Sequence, residues 1–361
     1  MSGALVELVS KGVQDAYIMG EGQSLFNTIY KKHSNFAQTP KLLEIRGQKT
    51  FGATSVVKID PLGDLVNAMW FEGTDIIDSL RGTVFELYIG GKLIDSQTFE
   101  YISDIWTIYM ADTKSKADTI NNQVSNSDTN FCPMHFFFCD NDMFLPLVAL
   151  QHHAVEVRIV WGPYVTSSTD VSCYANYVYL DTDERVAMVE NEQTMLITQV
   201  QKNFQTTDSG VTKSFDLKYF NHPLKALFFG FEAKNSDPAN DYFTFTNASL
   251  YLNGTSKFEK MSPNYFHTVQ GYYHTQNGVL NFFNDKGCPF YTRFFMYSFG
   301  KNVSTNQPTG SCNFSRLDSS KMAFDSIDIG SSRTADNLQF YAVNYNVLKI
   351  TNGLGGILFS N

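Results

Sequence analysis

Basic residues, cysteines and long apolar runs are all scarce in this sequence. Lys and Arg number 27 against 36 for Asp and Glu, which gives a formal net charge of −9. A protein that binds a polyanion needs the opposite balance to release counterions from phosphates, so direct contact with nucleic acid is disfavoured. The longest apolar runs, such as 144–150, are too short to span a bilayer, and Glu7, Lys11 and Asp15 interrupt any apolar secretory signal at the N-terminus.

Cysteine is limited to an odd number of scattered residues, from which we expect free thiols in a reducing compartment. The five are Cys132, Cys139, Cys173, Cys288 and Cys312. Cys132, His135, Cys139, His152 and His153 are residue types that bind zinc, but neighbours an odd number apart in a strand face opposite ways, and an extended chain holds His135 and Cys139 about 13 Å apart. We therefore expect no metal site, and we expect His153 to be a hydrogen-bonded core histidine on the buried face that continues to Trp161.

Catalytic motifs are also missing. The sequence contains no G-x-x-x-x-G-K-[ST] phosphate loop, no H-E-x-x-H zinc motif and no G-x-S-x-G nucleophile elbow. Asp181-Thr182-Asp183 resembles the metal-binding carboxylates of glycosyltransferases, but without a dinucleotide-binding glycine pattern it is better explained as helix capping. We expect neither enzymatic activity nor a bound cofactor.

Aromatic and other apolar residues, in contrast, are abundant. The 361 residues include 31 Phe and 19 Tyr, and 43% are hydrophobic. Beyond Lys41 they occur in short runs punctuated by Gly, Pro, Asn and Asp, which is typical of a β-sandwich or barrel. The length fits about two such domains of roughly 150 residues each, so two separate cores are expected.

Two phrases recur along the chain and indicate a tandem duplication. The run 84–89 reads as a strand that turns at Gly90-Gly91 into a hairpin, and Leu87-Tyr88-Ile89-Gly90-Gly91 aligns with Leu250-Tyr251-Leu252-Asn253-Gly254. The run 176–180 similarly aligns with 344–348. The two pairs of phrases are separated by nearly the same distance along the chain, and that distance is close to the length of one sandwich.

The sequence also predicts two short helices. Leu5, Val9, Val13 and Tyr17 are four residues apart and predict an amphipathic N-terminal arm. Between the halves, Asp181 as N-cap and Glu184 as its capping-box partner predict a linker helix.

The segment 307–318, Gln-Pro-Thr-Gly-Ser-Cys-Asn-Phe-Ser-Arg-Leu-Asp, strongly resembles the major capsid proteins of the nucleocytoplasmic large DNA viruses. Further segments keep that family's order from end to end: 14–17, 30–37, 89–95, 145–153, 179–185, 221–225, 252–254, 344–350, 353–356 and 360–361. The resemblance implies an all-β fold of two tandem eight-stranded antiparallel jelly-roll sandwiches. The expected division is an N-terminal arm at 1–37, a first jelly roll at 38–182, a linker helix and connection at 183–200, and a second jelly roll at 201–361.

The resemblance also implies a function and partners. We expect a late structural protein that trimerises into pseudo-hexameric capsomers of an icosahedral shell, located in the virion and assembled in the host cytoplasm. Its partners would be other copies of itself and minor capsid proteins reached by the N-terminal arm, with the inner membrane involved only indirectly. The family commonly has long outward loops in the second sandwich, whereas only 233–240 separates two strand-like runs here, so a low exterior crown is expected.

The motif residues are expected to be structural or interfacial, and Arg316 is expected to form a local salt bridge with Asp318. They are Pro308, Gly310, Asn313, Phe314, Arg316, Asp318, Asn344, Tyr345 and Asn346. Among the sequons at Asn247, Asn253, Asn302 and Asn313, Asn302 is the best candidate for glycosylation. Three alternatives remain open: a minor capsid component of the same fold, a tandem β-sandwich that binds carbohydrate, and an enzyme of the cupin or glycosidase kind.

Overall fold

The computed structural model describes residues 3–10, 14, 32–117, 131–140, 143–232, 242–276, 293–331 and 335–360. The chain divides into an N-terminal unit, Met1–Asn35, and a body, Phe36–Asn361. Helix α1 spans Gly3–Val9 in the N-terminal unit. The rest of the predicted apolar stripe, Val13 and Tyr17, lies outside the described residues.

Short strands with alternating burial build the first half of the body. They are β1 (Phe36–Leu43), β2 (Ile45–Arg46), β3 (Thr54–Ile59), β4 (Leu65–Glu72), β5 (Val84–Ile89), β6 (Lys92–Thr98), β7 (Phe131–Pro133), β8 (Leu145–Pro146), β9 (Val155–Val160) and β10 (Ser172–Leu180). One sheet has the order β1-β10-β4-β7 with β8 beside β4, and the other has the order β2-β3-β9-β5-β6. Pro40 fits in β1 because, among the described strands, β1 is an edge strand that pairs with β10 alone, and an edge position tolerates the missing backbone N–H.

The second half repeats this plan, and its two longest strands are about twice the length of their counterparts. They are β11 (Gln193–Asp208), β12 (Lys213–Asp216), β13 (Pro223–Gly230), β14 (Asn247–Leu252), β15 (Thr255–Met261), β16 (Phe294–Ser298), β17 (Cys312–Asn313), β18 (Ser320–Asp325), β19 (Ala335–Thr351) and β20 (Leu354–Ile357). One sheet has the order β11-β19-β13-β16, with β17 beside β13 and β20 beside β19. The other has the order β12-β18-β14-β15.

The tandem duplication is confirmed by strand order. The path β1-β10-β4-β7 matches β11-β19-β13-β16, and β3-β9-β5-β6 matches β12-β18-β14-β15. The first sequence echo falls in register on the hairpins β5-β6 and β14-β15. The second falls on the matching strands β10 and β19, one residue out of the register that their β-bulges define. The two hairpins turn through consecutive left-handed residues, Gly90-Gly91 and Asn253-Gly254, as a two-residue turn requires.

Helices lie between strands. They comprise α2 (Ile76–Ser79), a first π-helix (Tyr101–Met110), α3 (Thr182–Glu190), a second π-helix (Tyr265–Val269) that continues into α4 (Gln270–His274), and 3₁₀ turns at Phe137–Cys139, Leu147–Ala149 and Phe314–Arg316. The linker helix α3 begins where it was predicted, and Oδ1 of Asp181 accepts a hydrogen bond from Thr182 N at 2.7 Å. Arg185 joins α3 to the first sandwich through an ion pair with Asp64 at 2.8 Å.

Two buried clusters were expected and two are present, but their boundary is not the boundary between the halves. The second cluster fills the interior of the second sandwich with rings such as Phe229, Phe295 and Phe340. The first cluster fills the first sandwich and then continues onto the outer face of the sheet β11-β19-β13-β16. Strands β13 and β16 of that sheet are therefore buried on both faces, which explains their nearly unbroken apolar sequences.

Candidate functional site between the two sandwiches

The contact between the sandwiches is the most extensively built site of the body. On the sheet β11-β19-β13-β16, alternate residues point away from the second core and join the first cluster: Ala226, Phe228, Phe294, Met296, Tyr341 and Val343. The first π-helix lies against this face. Its Tyr101 ring centroid is 6.0 Å from that of Tyr341, and its Tyr109 ring centroid is 5.8 Å from that of Phe228.

Tyr109 is fully buried and also bonded to the second sandwich through its hydroxyl. The hydroxyl donates to the carbonyl of Phe294 at 2.7 Å and lies 2.7 Å from Nδ1 of His267. Because a phenol has one proton and Phe294 receives it, Nδ1 of His267 must be the donor in the second bond. Tyr109 thus links the first π-helix, strand β16 and the second π-helix.

A polar network surrounds the hydroxyl of Tyr341 at the same contact. This oxygen lies 2.8 Å from Oγ1 of Thr98 and 3.2 Å from Oε1 of Glu232, which Lys202 pairs at 2.7 Å. Burial and the neighbouring Glu232 raise the pKa of Glu100 to about 7. Thr98 lies in the first sandwich and Tyr341 in the second, so their hydrogen bond crosses between the sandwiches, whereas Lys202 and Glu232 both lie in the second.

Asp95 forms a second polar connection between the sandwiches. Its carboxylate accepts hydrogen bonds from Val200 N of β11 at 2.8 Å and from Nε2 of Gln97 at 2.7 Å. Gln199 of β11 also donates through Nε2 to the carbonyl of Ile94. Asp95 is 3% exposed, and burial raises its pKa to about 7 despite these hydrogen bonds.

Lys225 is the most deeply buried cation at this site, with 1% of its surface exposed. Its Nζ donates to the carbonyl of Thr305 at 2.7 Å and lies 5.9 Å from the ring centroid of Tyr345. Burial lowers its pKa to about 8, while burial raises the pKa of the nearby Asp140 to about 7. A cavity of about 700 Å³ between the sandwiches is lined by both residues and by Pro308.

The segment 307–318 is shaped by its backbone requirements. Gly310 has φ +146°, and a Cβ there would lie 2.9 Å from the carbonyl oxygen of Phe299. Asn313 caps the following 3₁₀ turn, with Oδ1 accepting from Ser315 N at 3.0 Å. Phe314 is buried in the second core. The backbone N–H of Asp318 donates to Oδ1 of Asn253, in the turn of the β14-β15 hairpin, at 2.9 Å.

The predicted salt bridge between Arg316 and Asp318 is wrong. Arg316 ends a 3₁₀ turn rather than lying in a strand, and both side chains are exposed. Within the described ranges, none of the ion pairs joins these two residues.

The segment 344–346 lies in β19, in the sheet that contacts the first sandwich. Asn344 accepts from Nε2 of Gln201 at 2.9 Å, and Nδ2 of Asn346 donates to Gln199 at 2.8 Å and to the carbonyl of Phe359 at 2.9 Å. Asn344 and Asn346 are buried and hydrogen-bonded in this way, so they fix β11 and the C-terminal segment to β19.

The residues weighed as zinc ligands do not come together. In the part of the chain that the structure describes, no group of three ligand-type side chains is placed to hold a metal ion. The prediction that the chain from His135 to Cys139 is extended was also partly wrong, since Phe137–Cys139 is a 3₁₀ turn. His135 is buried against the ring of Trp106 at 3.4 Å between centroids, and burial lowers its pKa to about 3.

His153 also differs from its predicted position. Strand β9 begins at Val155, so His153 precedes the strand and is half-buried rather than part of its buried face. Its Nδ1 lies 2.9 Å from the carbonyl oxygen of Gly355 and 3.1 Å from Gly355 N, which joins the first sandwich to β20. The predicted hydrogen bonding is therefore present, at the contact between the sandwiches.

Further predictions from the sequence concern the cysteines, Asn302, the loop 233–240 and membrane spans. Cys132, Cys139, Cys173 and Cys312 are free thiols, as expected, and Cys288 lies outside the described residues. Asn302 is half-buried and its Oδ1 accepts from Ser304 N at 2.8 Å, so its glycosylation stays a prediction. The short loop 233–240 also lies outside the described residues. None of the helices in the described ranges has the length and apolar character that crossing a bilayer requires.

The first π-helix was missed in the sequence, although a signal for it exists. Tyr101 and Tyr109 lie two helical turns apart in an apolar stretch, and Tyr265 and Tyr273 repeat that spacing in the second half of the chain. The repeated pair is separated from the first by nearly the same distance as the other echoes. The repeated tyrosine pair marks two equivalent segments, one after the β5-β6 hairpin and one after the β14-β15 hairpin.

Comparison with known proteins gives consistent matches over nearly the whole chain. Residues 184–356 match the family described as large eukaryotic DNA virus major capsid protein, and residues 24–84 and 78–181 match the family described as major capsid protein N-terminus. The chain is 29% identical to the major capsid protein of Pyramimonas orientalis virus and 28% identical to that of Paramecium bursaria Chlorella virus 1, with all of each chain covered in both comparisons.

Solved structures show the same fold. The subunit of the PBCV-1 virus capsid superposes with a TM-score of 0.79 at 23% identity, covering 94% of this chain and 100% of that one. The Faustovirus major capsid protein superposes with a TM-score of 0.72 at 9% identity, covering 96% of each chain. These likenesses confirm the predicted pair of antiparallel jelly-roll sandwiches.

Proposed function

Because this chain belongs to the family of large eukaryotic DNA virus major capsid proteins, we propose that three copies associate into a pseudo-hexameric capsomer. The protein is a structural component of the virion capsid. Its work is geometric: each copy contributes two sandwiches of one topology, so three copies give six similar edges for contacts in a lattice.

The observation that carries the trimer proposal is the duplicated architecture. One chain contains the same strand path twice, joined by a single buried contact whose polar groups are paired across it. A ring of three chains repeats this sandwich-to-sandwich arrangement with one kind of intermolecular contact. The division proposed from the sequence, with the arm at 1–37, the sandwiches at 38–182 and 201–361 and the connection at 183–200, assigns each sandwich one position in that ring.

The role within the particle is proposed to be that of the main shell protein, with the N-terminal arm contacting minor capsid proteins. The inner membrane would be involved indirectly, assembly would take place in the host cytoplasm, and the chain would carry no catalytic activity of its own. The net charge of −9 supports the absence of direct nucleic-acid binding. Subunit stoichiometry in purified particles, measured by mass spectrometry, tests the main-shell role: a copy number far below that of another capsid protein contradicts it.

Light scattering with size separation tests the association directly. The protein should elute as a species with three times the 40.8 kDa mass of one chain over a wide range of protein concentration. A stable monomer at every concentration would refute the proposed capsomer.

A further inference from the structure

We infer that α4 of one copy, which continues the second π-helix, packs on the outer face of the first sandwich of the next copy, repeating between chains the contact that joins the two sandwiches within a chain. This inference rests on the proposed trimer and names the surfaces that form it. We define the helix face as Tyr272 and Tyr273, and the sheet face as Leu42, Trp70, Pro133 and Tyr174.

Matching β-bulges show which sheet positions are equivalent. Between β10 and β4 the register skips Asn67, and between β19 and β13 it skips Lys225. Two residues beyond the first bulge Tyr174 pairs with Trp70, and two residues beyond the second Tyr341 pairs with Phe228. Trp70 and Tyr174 therefore occupy in the first sandwich the positions at which Phe228 and Tyr341 receive the first π-helix.

The sheet face forms one continuous row across four strands. Leu42 pairs with Tyr174, Tyr174 with Trp70, and Trp70 with Pro133, so these side chains are cross-strand neighbours. The rings of Trp70 and Tyr174 are stacked with centroids 5.8 Å apart. Leu42 is 63% exposed. An apolar row on the outer face of a sheet has the composition of the centre of a protein interface.

Beside this row the two outer faces differ in polarity. In the second sandwich the next pair is Val343 and Ala226, buried within the chain. In the first sandwich Asn176 takes the place of Val343, and its Nδ2 donates to Gln38 at 3.0 Å and to Asn67 at 2.8 Å. A polar rim next to an apolar row suits a surface that is solvated before subunits meet.

The helix face is the exposed counterpart of the buried first π-helix. Each π-helical segment begins with a tyrosine after the second strand of the matching hairpin, so Tyr273 corresponds to Tyr109 and Tyr272 to Ile108. Tyr109 is fully buried and Ile108 is 6% exposed, whereas Tyr273 is 70% and Tyr272 75% exposed. Two adjacent exposed tyrosines at the position of a buried contact are suited to act as anchors in an interface.

The two faces lie on different surfaces of one chain, so their association is heterologous. A heterologous contact either closes into a ring or continues as a filament, and closure after three copies uses every helix face and every sheet face. The occupant of each face is therefore a second copy of this chain.

Paired variants test this assignment. The helix-face variant is Tyr272→Asp with Tyr273→Asp, and the sheet-face variant is Leu42→Asp with Trp70→Asp. Phe51→Asp is the matched control, since Phe51 is 70% exposed and belongs to neither face. Circular dichroism melting verifies folding, and Leu42→Asp alone, on an edge strand, replaces the double change if that variant does not fold.

Each variant alone should run at the 40.8 kDa of a single chain in light scattering, while the control keeps the mass of the trimer. An equal mixture of the two variants should form a species with the mass of two chains, because the intact helix face of one and the intact sheet face of the other give a single contact that cannot extend. Variants that remain trimeric, or a mixture that stays monomeric, would overturn the assignment of these faces while leaving the trimer intact. A monomeric wild-type protein would instead overturn the proposed function.

Discussion

The hydroxyl of Tyr109 provides a sharp test of the contact between the sandwiches, because the same chemical change can be made at an exposed tyrosine outside every proposed contact. Tyr109→Phe removes an oxygen that is bonded at 2.7 Å to both the Phe294 carbonyl and Nδ1 of His267. The side chain is fully buried, so no water replaces the lost partner. A buried polar group left without a hydrogen bond costs about 1–3 kcal/mol.

We therefore expect Tyr109→Phe to lower the free energy of unfolding by about 2 kcal/mol, within that range, and to lower the melting temperature by about 2–4 °C per kcal/mol. Tyr164→Phe is the control, because Tyr164 is 60% exposed, belongs to neither proposed interface face, and the change keeps its ring. Its effect should stay within about 0.5 kcal/mol. Urea denaturation of both variants at equal protein concentration gives the comparison. Equal stability of the two variants would refute the role assigned to the Tyr109 hydroxyl.

Three further changes probe the cores and the polar contacts. Phe229→Ala removes a ring 5.2–5.8 Å from Phe266, Phe295 and Phe324, and should cost about 3–5 kcal/mol in urea denaturation, whereas Phe204→Ala, at a site 61% exposed, should cost less than about 0.5 kcal/mol. The pKa of Asp95 is raised from 3.8 to about 7, so the folded state binds a proton more tightly than the unfolded state, and the stability from that proton is lost as pH rises from about 4 to 7. Asp95→Asn should flatten this decline in a pH series of melting temperatures. An unchanged slope would contradict the assignment. Gly310→Ala forces a side chain onto a residue with φ +146° and should cost more than about 1 kcal/mol in thermal denaturation, while Gly356→Ala, where nothing lies within 4 Å of the new Cβ, should be close to neutral.

Features set by neighbours in sequence were the most predictable. The hairpin at Gly90-Gly91 follows from local turn chemistry, and the cap of α3 follows from Asp181 preceding its first turn. The tandem arrangement was recoverable from two short echoes because equivalent strands keep similar residues. The capsid function came from motif order and not from composition, since the same apolar and aromatic content fits many sandwiches.

Features that depend on distant residues were not predictable in the same way. The first π-helix is held by contacts such as that from Tyr109 to Phe294, 185 residues away. The Arg316 and Asp318 prediction assumed a strand, but Phe314–Arg316 is a 3₁₀ turn, and the following backbone N–H of Asp318 is bonded to Asn253, 65 positions away. His153 was assigned to the buried face of a strand, but its partner Gly355 lies in the other sandwich, 202 residues along the chain.

The most direct test of the central claim is cryo-electron microscopy of the purified protein without other capsid components. The duplicated architecture and the paired faces predict closed particles with three-fold symmetry, in which six similar sandwiches surround the axis and the helix face of each copy meets the sheet face of the next. Particles containing only two sandwiches, or closed trimers in which these faces point to solvent, would contradict it.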